Sequence, residues 1–360
     1  MAENPDFYRG CLLGLAVGDA MGMPVDNMTL SEIRDNYGPH GLLGYDLRGD
    51  FAEITSYTQV AAYICNALLL SVSRGKGDKT LDYVKLGLRE WTRSQQFARD
   101  PESSYCWIAK LPAFRRRHCQ DARMLDTLRM AAMGFPERGP NRHNAPGSLP
   151  AAVAVAMFYN PKRLTPPQVG ELTARIVAVT HGDPTAFLSA AVLSYAITGI
   201  LMEPALPLEE QFASAIAATE YQFRGKYPEL ATVTGTLSAA LERAKGAEPM
   251  DGVMESLQCF SAMNCVAGAI YASLANQQDF ATAMITAVNH SGCSSAVAGL
   301  TGAILGAKMG LSALPDFYLE SLEAVKPLCV LADDMVSGTP IKGLFDDDWD
   351  QKYVQGLPLL

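Results

Sequence analysis

The sequence predicts an all-α fold, a single compact multi-helix domain that spans residues 1–360. Three observations favour this fold class. Apolar residues recur at helical spacing along almost the whole chain, alternating strand-like runs of Val, Ile and Thr are scarce, and no low-complexity linker divides the sequence. With 49% hydrophobic residues among 360, the chain can bury a substantial core.

The predicted helices follow one another along the chain with loops between them. The segments 59–72 and 186–201 are rich in Ala and Leu and apolar on almost every face, which is typical of buried helices. The Pro- and Gly-rich segments 134–150 and 159–168 are typical of loops. Further helical patterns, several of them ended by Gly or Pro, cover residues 81–94, 207–221, 230–245, 261–274 and 279–288.

Two sets of glycines recur at the spacing of a helix face. They are Gly14, Gly18 and Gly22 near the start of the chain, and Gly299, Gly302 and Gly306 near its end. Small residues at this spacing let two helices approach closely, and packing alone explains most of them. The same closeness would bring the ends of the adjoining loops together.

Charge and cysteine content exclude several classes of protein. The formal net charge of −9 and the pI of about 5.1 argue against a general nucleic-acid binder. The eight cysteines form no CxxC pair, so they indicate neither a zinc site nor a disulfide framework. The N-terminal apolar stretch has no basic run before it and contains Asp19, which argues against a signal peptide. No window reaches about 18 uninterrupted apolar residues, so we predict no membrane span. We expect a cytoplasmic protein with no nucleic-acid or membrane partner.

Four segments carry more specific patterns. They are "GCLLGLAVGDAMGMPVD" (10–26), "FAEITSYTQVAAYICNALLL" (51–70), "THGDPTAFLSAAVLSYAI" (180–197) and "AVNHSGCSSAVAGLTGAILGAKMG" (287–310). In this order they resemble the motifs of the ADP-ribosylglycohydrolase family, of the dinitrogenase-reductase-activating-glycohydrolase type. Members of that family remove ADP-ribose from modified proteins or related conjugates. Four motifs in the correct order are a far more specific signal than the first motif alone.

The resemblance implies an all-α fold with a dinuclear magnesium site at the bottom of an ADP-ribose cleft. The helix starts near residues 55 and 295 should then face each other. Carried over residue by residue, the ligand positions of the family fall on Thr55, Ser56, Tyr57, Cys293, Ser295 and Ala296. All four carboxylates of the family pattern are absent. Magnesium requires hard oxygen ligands that include carboxylates, and a thiolate is a soft ligand, so we expect a degenerate metal site and no cofactor.

Two further departures fall in the same implied cleft. In "NAPGSLPAAVAVAM" (144–157), Pro150 and Ala151 stand where the family often has Met-Arg, so a guanidinium that could pair with phosphate is absent. Asn264 stands where an acidic residue is frequent in the family. The resemblance places a bound ligand against Tyr57, Gly147, Ser148, His181, Asp183, Cys293 and Ser294.

Several of these residues have a structural interpretation beside the functional one. His181 is equally well explained as a semi-buried histidine at a helix start. An aromatic side chain at Tyr57 would fill the volume of an ion and could stack on a base or a sugar. Asp19 is better explained as a hydrogen-bond acceptor for a helix end or a loop amide. The acidic cluster 346–350 is more typical of a solvated tail than of a site.

A cysteine enzyme is a further alternative. The start of a helix favours the ionised form of a thiol, so Cys293 could act as a nucleophile with His290 as its base. A free cysteine is more often a small buried apolar residue, and the other seven cysteines of this chain need no catalytic role. We favour the structural interpretation of Cys293.

Two hypotheses of function remain. In the first, the protein is a pseudoenzyme or binding module that holds ADP-ribose, a nucleotide, a ribosyl conjugate or an ADP-ribosylated protein. In the second, it is a metal-independent glycoside-type hydrolase that acts on an ADP-ribosyl or another N- or O-ribosyl substrate. The carboxylates available to the second are Asp26, Asp50 and Glu53, as acid and base.

Overall fold

Helices account for almost all regular structure in the part of the chain that the structure describes. This computed structural model describes residues 4–47, 49–96, 104–119, 121–130, 134–338 and 347–355, and within these ranges it contains seventeen α-helices and no strand. The helices are α1 (Pro5–Gly22), α2 (Leu30–Tyr37), α3 (Ser56–Ser73), α4 (Thr80–Ser94), α5 (Ala122–Arg129), α6 (Pro150–Phe158), α7 (Pro166–Ala178), α8 (Pro184–Met202), α9 (Leu208–Phe223), α10 (Leu230–Arg243), α11 (Met250–Leu257), α12 (Ala262–Ala275), α13 (Phe280–Val288), α14 (Ser294–Met309), α15 (Asp316–Ser321), α16 (Val325–Ser337) and α17 (Asp347–Trp349).

The all-α fold class is confirmed, and each predicted helix is present with small changes at its ends. The predicted helix 59–72 begins earlier, at Ser56, because its first turn is capped. The predicted loop 159–168 is shorter than expected, because α7 begins at Pro166. The Gln168 side chain accepts a hydrogen bond from the Thr165 amide (2.7 Å), which fixes that helix start.

The pair α1 and α14 forms the centre of the fold. A Cβ added at Gly14 would overlap the backbone of Gly302, and one at Gly18 would overlap the backbone of Ala298. The two helix backbones are therefore in direct contact along the predicted glycine faces. Around this pair, α3, α13 and α16 pack against α1, and α8, α12 and α13 pack against α14.

Helix α8 (Pro184–Met202) is the only described helix long and apolar enough to cross a membrane, with a mean hydropathy of 1.8. In this structure, 72% of that apolar window is buried inside the protein. Length and composition alone do not separate a membrane span from a core helix. The burial of α8 and its packing against α6, α7, α9 and α12 are those of a core helix.

The acidic cluster near the C-terminus is attached to the helical core. Its first residue, Asp346, lies outside the described residues. Asp348 is exposed and forms an ion pair with Lys352 (2.8 Å). The Trp349 indole is buried and donates a hydrogen bond to the Ser73 hydroxyl (3.2 Å). The prediction of a solvated tail therefore holds for the exposed carboxylates, while the cluster itself is fixed to α3.

Candidate functional site

Asp19 lies in the last turn of α1 and is fully buried. Its carboxylate accepts hydrogen bonds from the backbone amides of Thr55 (2.9 Å) and Thr58 (3.0 Å). It also accepts from the hydroxyls of the same two residues, at 2.5 and 2.6 Å. Burial raises the pKa of Asp19, while these hydrogen bonds act in the opposite direction. Asp19 thus caps the start of α3, which is the structural role that its sequence context favours.

Asp26 caps the start of α14, as Asp19 caps the start of α3. Gly22, at the end of α1, lies directly against the backbone of Ser294 and Ser295, where a Cβ would approach to 2.5 Å. The Asp26 carboxylate accepts a hydrogen bond from the Ser295 amide (3.0 Å) and another from the Asn27 side chain (3.2 Å). Burial raises the pKa of Asp26 to about 7, although the hydrogen bond from Ser295 opposes that shift.

Tyr57 lies between these two capped helix starts. The residue is partly exposed, and burial raises the pKa of its hydroxyl well above the ordinary value. Electrostatic interactions with Asp26, Cys293 and Cys265 raise that pKa further. Helices α3 and α14 also contact each other. The helix starts near residues 55 and 295 face each other, as predicted.

Ser56 connects this region with a second group of polar side chains. Its hydroxyl lies beside the Cys119 thiol and lowers the pKa of that thiol, although burial dominates and raises it to about 12. The Cys119 thiol also donates to the carbonyl oxygen of Asp121 (3.7 Å). The start of α3 therefore adjoins the start of α5, where Asp121 is the capping residue.

The second group consists of Asp121, His143 and His181. The Asp121 carboxylate lies 2.8 Å from Nε2 of His143 and 3.2 Å from Nε2 of His181, and the two rings stack with centroids 4.4 Å apart. Burial raises the pKa of Asp121, but the hydrogen bonds from both histidines outweigh it and hold that pKa well below its ordinary value. Burial lowers the pKa of His181, which Asp121 partly offsets.

Glu53 belongs to an ion-pair cluster just before α3. Its carboxylate lies 3.2 Å from the Arg116 guanidinium and 3.2 Å from Nε2 of His118. Arg116 also pairs with Glu323 at 2.7 Å. The Arg116 side chain is 35% exposed, so a partly accessible guanidinium lies close to the start of α3 although Ala151 carries none.

Comparison with known proteins identifies the family. The family model described as ADP-ribosylglycohydrolase matches residues 2–343. This chain belongs to the ADP-ribosylglycohydrolase family. A protein of Archaeoglobus fulgidus described as uncharacterized is 26% identical over 327 residues, which is 88% of this chain and 91% of the relative. A solved structure titled "ADP-ribosylglycohydrolase-related protein complex" has a TM-score of 0.61 and 23% identity, and covers 93% of this chain and 99% of its own; it shows the shared fold.

The residues carried over from the family motifs lie in several environments. Gly147 lies against Asp121, because a Cβ there would approach the carboxylate to 2.7 Å. Ser148 is 4% exposed, and its hydroxyl has no hydrogen-bond partner among the described residues. Asp183 caps α8 by accepting from the Thr185 amide (2.9 Å). Of these, Gly147 joins the group that contains His181.

Other members of the predicted set lie apart from the helix starts or are already engaged. Ser294 is fully buried and its hydroxyl donates to the Val288 carbonyl oxygen (3.0 Å). Asn264 donates to the Gln258 carbonyl oxygen (3.1 Å). Asp50 is exposed in the loop before α3.

The alternative of a paired cysteine and histidine needs correction. Nδ1 of His290 lies 3.2 Å from the Ser291 carbonyl oxygen, and its Nε2 has no hydrogen-bond partner among the described residues. The Cys293 thiol instead lies beside Asn27 and the Cys265 thiol. Among the described residues, therefore, no hydrogen bond joins the buried His290 imidazole to the Cys293 thiol.

The sequence pattern did not predict four polar residues near the site: Arg116, His118, Asp121 and His143. They lie in loops that match no family motif, and their contacts join segments far apart in the chain. The available signal was the rarity of histidine, with only five in 360 residues. That signal does not specify which of the five histidines share a carboxylate.

Proposed function

We propose that this protein binds ADP-ribose, a nucleotide or a ribosyl conjugate at the facing starts of α3 and α14, and that it does not hydrolyse the ligand through the metal mechanism of the family. The observation that carries the proposal is that both carboxylates of the first motif are used as helix caps. Asp19 and Asp26 each cap a helix start. The ligand positions beside them hold Ser56, Tyr57 and Cys293.

The donor set does not fit the dinuclear magnesium centre of the family. The Thr55 hydroxyl donates to Asp19 at 2.5 Å, so that oxygen is already held by a protein partner. The family positions offer hydroxyls and a thiol, and such groups supply little charge to offset the dehydration of Mg²⁺. In the proposed function, no step passes through magnesium.

Electrostatics support binding of an anionic ligand without metal. With a pKa of about 7, the Asp26 carboxyl is partly protonated near neutral pH, and the Tyr57 hydroxyl stays neutral. A diphosphate therefore meets less negative charge here than it would beside four additional carboxylates. The partly exposed Arg116 guanidinium lies near the start of α3, where it already pairs with Glu53 (3.2 Å) and Glu323 (2.7 Å), so a phosphate that binds it has to compete with these carboxylates. The partly exposed Tyr57 ring can stack on a base or pack against a sugar.

The alternative is metal-independent hydrolysis of an N- or O-ribosyl bond. The pKa of about 7 at Asp26 favours it, because a general acid works best when its pKa is near the operating pH. A second carboxylate would have to act as base or nucleophile. Asp50 is exposed, and Glu53 is held by Arg116 and His118. These placements make binding without hydrolysis the better-supported function.

Thermal unfolding with added ligand tests the binding. We expect ADP-ribose in EDTA to raise Tm, with about 2.7 kcal/mol of stabilisation when its concentration is a hundred times Kd. Tyr57→Ala should reduce the shift. Tyr221→Ala should not, because Tyr221 is 82% exposed on α9. The proposal fails if ADP-ribose, AMP and ribose 5-phosphate all leave Tm unchanged, or if a shift requires added Mg²⁺.

Hydrolysis is measured separately on an ADP-ribosylated protein, with EDTA or with Mg²⁺. We expect no release of ADP-ribose that depends on Mg²⁺. Release in EDTA that is abolished by Asp26→Asn would establish the alternative function. Release that needs Mg²⁺ would contradict both hypotheses and restore the family mechanism.

A further inference from the structure

Three side chains from separate segments converge at the cluster of Asp121, His143 and His181. One ligand-type atom of each residue, a carboxylate oxygen or a ring nitrogen, lies within 4.8 Å of the others. The two ring Nε2 atoms both point at the Asp121 carboxylate, at 2.8 and 3.2 Å. Two imidazoles and a carboxylate at such short mutual distances are a donor set that proteins use for transition-metal ions.

The cluster is largely protected from solvent. The His181 side chain is fully buried, and the side chains of His143 and Asp121 are 9% and 15% exposed. The absence of a side chain at Gly147 makes room for Asp121, because a Cβ there would approach the carboxylate oxygen to 2.7 Å. A buried group of this type is usually paired or coordinates a metal.

Asn141 holds the three segments in place. Its side-chain oxygen accepts from the amides of His143 (2.9 Å) and Gly182 (3.1 Å). Its side-chain nitrogen donates to the Thr180 carbonyl oxygen (3.0 Å) and to the Thr127 hydroxyl (3.1 Å). One amide thus joins both histidine loops to α5, so the arrangement is fixed by hydrogen bonds outside the three candidate ligands.

The ring orientation of His181 is also fixed from outside. Its Nδ1 lies 2.8 Å from the Thr180 hydroxyl, which leaves Nε2 directed at Asp121. A histidine that binds a metal through one nitrogen ordinarily has its other nitrogen hydrogen-bonded in this way. The Cys119 thiol, although close in sequence, donates to the Asp121 carbonyl oxygen and is not part of the donor set.

We propose that Asp121, His143 and His181 bind one divalent transition-metal ion of the zinc type. Three protein ligands leave at least one coordination position for water or for a ligand oxygen. The nitrogen-rich donor set favours such an ion over Mg²⁺. This site adjoins the start of α3 but contains none of the metal-ligand positions of the family, and its metal binding is measured without ADP-ribose. The expectation of no cofactor was based on the family ligand positions alone.

Cobalt(II) is the probe, because its visible absorption reports on both coordination geometry and ligand type. The full-length chain is stripped with chelator, checked by circular dichroism and titrated with Co²⁺. We expect one ion per chain, visible bands of a low-coordinate nitrogen and oxygen site, and no thiolate charge-transfer band. Zn²⁺ should displace Co²⁺, and an excess of Mg²⁺ should not.

Variants identify the ligands. His143→Gln and Asp121→Asn should each weaken Co²⁺ binding at least about tenfold, since loss even of outer contacts at metal sites costs 10- to 100-fold. His118→Gln is the matched control, because His118 also pairs with a carboxylate but lies outside the cluster. It should bind Co²⁺ as the unmodified chain does.

Several results would overturn the proposal. They are no Co²⁺ binding by the folded unmodified chain, a thiolate band that assigns the metal to the cysteines, or equal affinity in His143→Gln and His118→Gln. If a variant does not fold, the stoichiometry and spectrum of the unmodified chain still decide the question. ADP-ribose binding is measured independently, so failure here leaves the proposed function standing.

Discussion

At the scale of single residues, the two aspartates of the first motif have distinct tasks. Asp19 is fully buried and receives four hydrogen bonds at the start of α3. Asp26 is partly exposed and accepts from the Ser295 amide at the start of α14. Both satisfy amides that a helix start leaves unpaired, and both place a negative group against the positive end of a helix. We expect stability to depend more on Asp19, because it is fully buried and accepts four hydrogen bonds.

The pKa of Asp26 predicts a pH-dependent stability. Burial raises this pKa from 3.8 to about 7, so between about pH 4 and pH 7 the folded chain holds a proton that the unfolded chain releases. Stability should therefore fall as the pH rises through that window and level off above it. In Asp26→Asn, whose amide oxygen can still accept from Ser295, Tm should vary less with pH. Parallel Tm curves for the two proteins would contradict this prediction.

Asp19 should contribute more to stability than an ordinary helix cap. Asp19→Ala leaves buried donors of Thr55 and Thr58 without an acceptor, and we expect the free energy of unfolding to fall by about 3 kcal/mol or more. Asp183→Ala is the matched control. It removes a partly exposed cap of α8 and should cost about 0.5–2 kcal/mol. Urea unfolding compares the two, and equal losses would show that Asp19 is an ordinary cap.

At the scale of helices, the contact between α1 and α14 positions the site. Where Gly22 meets Ser295, the end of one helix lies against the start of the other, and Asp26 follows within the next turn of chain. Direct backbone contact leaves no room for side chains between the two helices. The distance from α1 to the start of α14 is consequently set by glycine positions.

Gly18→Ala tests that contact. The added Cβ would overlap the Ala298 carbonyl, so the helices must separate, at a cost of roughly 1–3 kcal/mol. Gly235→Ala is the control within α10, where a Cβ meets nothing within 4 Å, and it should stabilise the protein by about 0.4–1 kcal/mol. Chemical denaturation measures both. A neutral Gly18→Ala would mean that the two helices are less tightly packed than the structure shows.

At the scale of the whole molecule, the fold brings sequence-distant helix starts together. Asp19 joins α1 to α3, Asp26 joins the end of α1 to α14, and Ser56 extends the contact to the loop before α5. The starts of α3 and α14, on which the resemblance places the metal-ligand positions of the family, therefore lie close together.

Restoring the carboxylates tests this convergence. The quadruple variant Ser56→Asp, Tyr57→Asp, Cys293→Asp and Ser295→Asp should be less stable than the unmodified chain without metal, because four like charges repel and some carboxyls stay protonated. Mg²⁺ should then raise its Tm selectively.

The unmodified chain is the control for the same Mg²⁺ titration. Hydrolysis need not follow, since Ala151 and Asn264 also depart from the family pattern. A folded quadruple variant whose Tm does not respond to Mg²⁺ would show that the two motifs do not form one site.

The features that depend on local sequence were predictable. Helical periodicity determined the all-α class, glycine spacing predicted the close approach of α1 and α14, and the position of Asp19 favoured a capping role. Motif order added the family and the facing helix starts. Helix ends shifted where a cap decided them, as at Ser56 and Pro166.

Only the tertiary structure decided which side chains share a site. Periodicity records which face of a helix is buried, but not which loops meet beyond its ends. Asp121, His143 and His181 lie on three separate segments, and the hydrogen bonds of Asn141 join the two histidine loops to α5. His290 and Cys293 are only three residues apart, and whether such neighbours share a hydrogen bond likewise depends on how the fold orients each side chain. Such contacts follow from the packing of the whole fold, since no short stretch of sequence contains both partners in their final orientation.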